Sequence, residues 1–267
     1  MNVDVLELRA LRDGARRAIA WELFEAEALS EAQRHRLGRA WRARMEQEHL
    51  AIGAFARLTL ELAEAGADPV VLALTARASM DEVRHAEICR RIAVACLPTS
   101  DVPARLRGVP TTGADTSRPI AERALLHVVE MCCLNETCTG VYLTEMLERA
   151  TNPSARSAIE SLLEDEVDHG RVGWAHLEGA CREGWGQSVV EPALPGMIAR
   201  ALGEVIDAAS RSKPEPDAPT THGYLSLHDA GDVYRRTLRD VILPGLQTVG
   251  FDIAPLSTTA RAHNWLP

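Results

Sequence analysis

Apolar residues recur every three to four positions along most of the chain, and no stretch alternates as a half-buried strand would. The period predicts a first helix over residues 4–28. Ser30 is placed to cap a long second helix that runs to Ala65 and stops at Gly66. Asp68-Pro69 opens a third, reaching Cys96. Residues 97–118 hold Pro- and Gly-containing turns and predict a crossover linker. Helices are expected over 119–150 and, opened by Asn152-Pro153, over 153–184. Residues 192–211 have a helical pattern, SKPEPDAPTTHGY predicts a loop, and a last helix over 228–248 is bent or ended by Pro244. The tail is expected to be irregular. Two long helices, a long connection and two more helices is the order of a four-helix bundle with one crossover. The expected fold class is therefore all-α. A bundle core over residues 31–184 would carry extra N- and C-terminal helices (4–28 and 190–250), and residues 1–267 would form a single domain.

The two halves of that core repeat a phrase. DEVRH, Asp81 to His85, returns as DEVDH, Asp165 to His169, and in each half a Pro (Pro69, Pro153) precedes the Glu by thirteen residues. On a helix, Glu at i and His at i+3 lie about 60° apart on one face, so both can reach one ion. A single copy would be ordinary surface chemistry. These copies, however, sit on inward stripes: Val71, Thr75, Ala78, Cys89 and Ala93 share the face of Glu82 and His85, and Ile159, Leu162, Gly173 and Leu177 that of Glu166 and His169. The other two helices offer one inward carboxylate each. Glu48 continues the stripe Ile52, Phe55, Thr59, Leu62, whereas Glu46 and Glu61 fall roughly opposite. Glu136 lies on the stripe Leu125, Val129, Cys132, Gly140, Leu143, Leu147, away from Glu130 and Glu145. Four inward carboxylates and two imidazoles need charge compensation, and they suit two hard-to-borderline divalent ions such as iron or manganese.

Composition removes other classes. The chain is 46% hydrophobic and 25% charged, as in ordinary globular proteins, and its net charge of −9 argues against nucleic acid as the main partner. No apolar run approaches the roughly 18 residues of a membrane span, and the N-terminus lacks an apolar signal core. Six scattered Cys form no disulfide framework, so reduced thiols and a cytoplasmic setting are expected.

With Glu48, Glu82, His85, Glu136, Glu166 and His169 in this arrangement, the chain resembles the ferritin-like di-iron carboxylate superfamily over about residues 31–184. That superfamily carries one Glu on each of two helices and Glu-x-x-His on each of the other two. The resemblance implies two Fe ions, with Mn/Fe or Mn as alternatives, bridged by carboxylates among which Glu82, Glu136 and Glu166 are candidates. O2 would be the co-substrate. It also implies that Asp81 holds His169 and Asp165 holds His85 from behind, fixing the imidazole tautomers. Departures from related enzymes fall at Gly140, where monooxygenases often carry Thr, and at Cys89, where a radical-bearing Tyr would stand in ribonucleotide reductases. Tyr142 is a packing or redox residue, and His176 a candidate third His ligand, as in some N-oxygenating relatives.

The expected function is O2-dependent oxidation of a small organic substrate by a di-iron oxygenase or oxidase: hydroxylation, N-oxygenation or desaturation. The alternatives are ferritin-type iron oxidation and storage, and a non-catalytic metal-bound protein. A ferredoxin or flavin reductase is a candidate electron donor, and Arg84, Arg90 and Arg91 are expected to lie toward solvent, where a donor could dock. A homodimer is expected, with no nucleic-acid or membrane partner.

Overall fold

The structure is a computed structural model that describes residues 19–103 and 117–266. The described residues form helices and turns, with no strand among them. The main helices are α1 (Glu31–Glu64), α2 (Pro69–Cys96), α3 (Ile120–Val128), α4 (Thr137–Arg149) and α5 (Pro153–Arg182). The shorter ones are α6 (Gly186–Val190), α7 (Leu194–Ile198), α8 (Glu204–Ser210), α9 (Leu227–Thr237), α10 (Leu243–Thr248) and α11 (Ala254–Ala262). None of the described helices is long and apolar enough to cross a membrane.

The caps explain the boundaries. Ser30 Oγ accepts from Gln33 N while Gln33 Oε1 accepts from Ser30 N, a reciprocal capping box that starts α1. Gly66, at φ 74°, takes the left-handed turn that stops it. Asp68 Oδ1 accepts from Val70 N at 2.8 Å in front of Pro69, and Asn152 Oδ1 from Ala155 N at 3.0 Å in front of α5. The predicted helix over 4–28 lies largely outside the described residues. Its described part is two short 3-10 turns, Trp21–Leu23 and Ala26–Ala28. Likewise, residues 104–116 of the predicted linker lie outside the description, and Thr99–Asp101 forms a 3-10 turn.

Three predicted helices are not regular. Between α3 and α4 runs a π-helical stretch, Val129–Glu136, whose hydrogen bonds reach five residues back rather than four. A second, Ala199–Gly203, joins α7 to α8, and a third, Leu238–Ile242, joins α9 to α10. The third stands directly before Pro244, which has no N–H to give to a carbonyl one turn back. The tail also departs from expectation. α11 begins where Asp252 Oδ1 accepts from Ala254 N, and Thr258 and Thr259 satisfy their hydroxyls on carbonyls four residues earlier. Burial of Leu256 and Ala260 then outweighs the low helix propensity of the threonines.

The described residues fall into two compact units. One contains residues 19–103, Met146–Asp165 and Asp217–Tyr224. Here α1 and α2 form an antiparallel pair: Gly38 faces Leu97 and Ser79 Oγ donates to Ile52 O. Trp41, Phe55, Leu58 and Ile92 are buried in it. The loop 217–224 clamps the start of α5, since Thr221 O accepts from both Thr151 N and Asn152 N. His222 beside it is buried, edge-on to Phe24 at 5.7 Å. The other unit contains residues 117–145, Glu166–Pro216 and 225–266. Its core joins Leu125, Val129, Cys133, Leu177, Leu202 and Leu246. Within it, Gly173 of α5 lies against the π-helical stretch. A Cβ there would stand 2.4 Å from Cys132 Cβ and 3.0 Å from Cys133 N, so no side chain fits.

Two predictions follow from this packing. Gly173→Ala should destabilise the protein by about 1–3 kcal/mol, as overpacking does, while Gly140→Ala, inside α4 with nothing within 4 Å of its Cβ, should stabilise it by about 0.5–1 kcal/mol through helix propensity, both read by denaturant titration. Burial lowers the His222 pKa from its ordinary 6.5, so the folded state holds the neutral ring and the unfolded state binds the proton first. Stability should therefore fall as pH drops through and below about 6.5, and His222→Gln should show a smaller loss of melting temperature over the same range.

Candidate metal centre

Each unit brings together one buried carboxylate–imidazole group. In the first, Glu48 of α1 and Glu82 and His85 of α2 offer donor atoms within 4.8 Å of one another. In the second, Glu136, at the end of the π-helical stretch, and Glu166 and His169 of α5 do the same. All six side chains are buried, with His85 at 0% exposure and Glu82 and Glu166 at 1%. In both copies the His Nδ1 faces Oε2 of the Glu three residues earlier at 3.3 Å. Two donors bound about 2.1 Å from one cation, near a right angle, would stand about 3 Å apart, so the spacing fits a shared ion.

The first group also orients its imidazole. His85 Nε2 lies 3.2 Å from Asp165 Oδ2. Asp165 is held as a carboxylate by Arg77, at 3.0 Å, and by Arg84. An ionised carboxylate only accepts, so Nε2–H donates to it. The other ring nitrogen, Nδ1, lies 3.3 Å from Glu82 and 3.9 Å from Glu48. Two buried carboxylates facing one ring nitrogen call for positive charge between them, which a bound cation or a ring proton supplies. This donor set and its orientation fit a divalent metal ion. Asp165 Oδ2 thus lies against His85 Nε2. Asp81 takes Arg77 Nε at 3.2 Å, and Arg77 so joins both repeated aspartates.

The competing carboxylates are partnered elsewhere. Glu46 pairs with Arg42 and is 41% exposed at its side chain; Glu130 is bound by Arg200 and Glu145 by Arg236. Glu61 corrects the helical-wheel expectation. It is buried, and accepts from Arg57 Nε at 3.3 Å, because α1 buries both flanks of its stripe near its C-terminal end. Arg84 is a second correction. It does not point to solvent: Nη1 donates to Ser161 Oγ at 2.6 Å and Nη2 reaches Asp165. Arg90 and Arg91 do lie outward, both on Glu87.

Sequence reasoning missed the arginines. Arg44 donates to Glu48 at 3.2 Å, and Arg44, Arg57 and Arg77 each stand four residues before the acid they hold. That i, i+4 spacing was the available signal. Of the remaining candidates, His176 joins neither group, and burial lowers its pKa against the opposing charge of Glu183. Tyr142 is half-buried. Gly140 opens onto free space. Cys89 is fully buried. Burial likewise raises the Cys133 and Cys138 thiols, with Glu136 adding to the effect at Cys138. These thiols stay protonated at neutral pH, so the carboxylates and imidazoles are the donors that remain.

Comparison of the chain with protein-family models, with curated proteins and with solved structures gave no match.

Glu48→Ala should remove the cation held by the first group, while Glu46→Ala should leave metal content unchanged. Elemental analysis and calorimetric titration of the two variants decide it. The reverse result would mean that the opposite face of α1 is the binding face.

Proposed function

We propose that each group binds one divalent cation, that the two cations form the pair implied by the resemblance to ferritin-like di-iron carboxylate proteins, and that the protein is an O2-dependent oxygenase or oxidase. The observation that carries this reading is that Glu48, Glu82 and His85 are buried with donor atoms within 4.8 Å of one another. In support, the same Glu-x-x-His geometry recurs in the second group, and Asp165 and Glu166 are neighbours on one helix. The proposed architecture is a four-helix bundle with one crossover, with rods α1, α2, α3–α4 and α5.

Glu48, Glu82 and His85 would hold one ion, and Glu136, Glu166 and His169 the other. Such a pair in the ferrous state supplies two electrons to O2. The chain's own part is to orient His85 through Asp165 and to keep bulk water from the six donors by burial. Reducing O2 fully takes four electrons. In a hydroxylation, two come from the substrate and two from a donor such as a ferredoxin or flavin reductase.

Anaerobic loading with ferrous iron should saturate at two ions per chain. Oxygen should then be consumed in proportion of about one O2 per pair. Continued uptake of iron beyond two ions, in a particle of many chains by light scattering, would instead support the storage reading. Absence of metal binding would end both.

A further inference from the structure

Arg77, Asp81 and His85 follow one another at four-residue intervals on α2 and so share one face of it. Arg77 lies between two acids. Its Nε meets Asp81 Oδ2 at 3.2 Å, one turn along the same helix, and its Nη2 donates to Asp165 Oδ1 at 3.0 Å, across on α5. The other oxygen of Asp165, Oδ2, faces His85 Nε2 at 3.2 Å and also meets Arg84. Asp165 therefore leans on α2 at points two turns apart, with a guanidinium at one and the imidazole at the other. The side chains of Asp81 and Asp165 are 2% and 6% exposed, so both acids are almost out of water and depend on such partners.

We propose that Arg77 is a positioning residue for the Glu48–Glu82–His85 cation group: by holding Asp165 Oδ1 it sets where Asp165 Oδ2 meets the His85 ring. The inference rests on the proposed metal-binding function. A guanidinium suits the task because its N–H groups form a rigid fork, so taking Asp81 with Nε fixes the direction in which Nη2 reaches Asp165. An ammonium has no such fork and acts as a point charge. Two opposed effects bear on a cation bound by His85. The guanidinium charge repels it, so charge alone would make Arg77 a hindrance. A carboxylate that holds the ring in the binding direction strengthens the site, so positioning makes Arg77 a help. Asp81 and Asp165 already offset the guanidinium charge, and positioning therefore prevails.

The test uses the full-length apo protein and Zn(II) at neutral pH, read by calorimetric titration. The binding that Glu48→Ala abolishes marks the first group. Arg77→Gln should weaken that binding by about ten- to a hundredfold, the usual size of such an outer-sphere effect. Arg77→Lys, which keeps the charge and loses the fork, should recover part of the loss. Asp165→Asn should weaken the same binding, and adding Arg77→Gln to it should cost no more than about threefold further, because the arginine acts through that carboxylate. A general loosening of the fold would instead give effects that multiply in the double variant. Should Arg77→Gln fold poorly, Arg77→Lys, alone and combined with Asp165→Asn, carries the same test. If the folded Arg77 variants bind Zn(II) at the first group as tightly as the parent or more tightly, or if the two effects multiply, the proposal is overturned while metal binding stands. If the parent binds no Zn(II), or Glu48→Ala removes none of it, it is the proposed function that fails.

Discussion

Carboxylates buried beside imidazoles are the constraint around which the described fold is arranged. Glu48, Glu82, Glu136 and Glu166 are removed from water, and each would be destabilising in an apolar core unless opposite charge were nearby. The chain answers in two ways. It places arginines at the periphery, as Arg44 on Glu48 and Arg77 and Arg84 on Asp165. It also places an imidazole nitrogen 3.3 Å from the carboxylate three residues earlier in each copy, where a ring proton or a bound cation can offset the charge. On the proposed reading, the buried charge serves to bind metal rather than being a cost to stability alone.

The backbone near these groups is shaped to the same end. The π-helical stretch Val129–Glu136 finishes on a proposed ligand, and an extra residue in a helical turn changes which side chains face inward. Met131, Cys132, Cys133 and Leu134 are consecutive and all buried, a run that a regular amphipathic helix does not produce. Gly173 supplies the matching relief on α5, where even a methyl group would collide with Cys132. Wide turn and small residue work together: the stretch gains girth, and the neighbouring helix gives up a side chain to admit it.

Asp165 shows how local and distant contacts combine. It stands one residue before Glu166, so the helix that carries a proposed ligand also supplies the carboxylate that orients His85. Arg77 touches Asp165 and Asp81 together, tying the two repeated aspartates. Through Arg84 the first copy gains a further anchor in Ser161. At Arg84 and Asp168, the one place where the phrase differs, the two copies make different contacts.

The sequence alone determined the all-helical class, the starts and stops of α1, α2 and α5, and the inward direction of Glu48, Glu82, His85, Glu136, Glu166 and His169. These depend on local chemistry and on period: a Ser or Asp cap, a Pro at the first turn, a Gly at φ 74°, an apolar stripe. Only the tertiary structure decided the π-helical stretches, the helix in the tail, the burial of Glu61 and the inward turn of Arg84. A fixed period of 3.6 residues cannot announce an added residue in a turn, and propensity cannot weigh Thr258 and Thr259 against the burial of Leu256. Nor can a wheel say where a long side chain goes. Arg84 and Asp168 hold the same place in the phrase, and what separates them is the presence of Ser161 and Asp165 within reach of one guanidinium, which is set by the packing of α2 against α5.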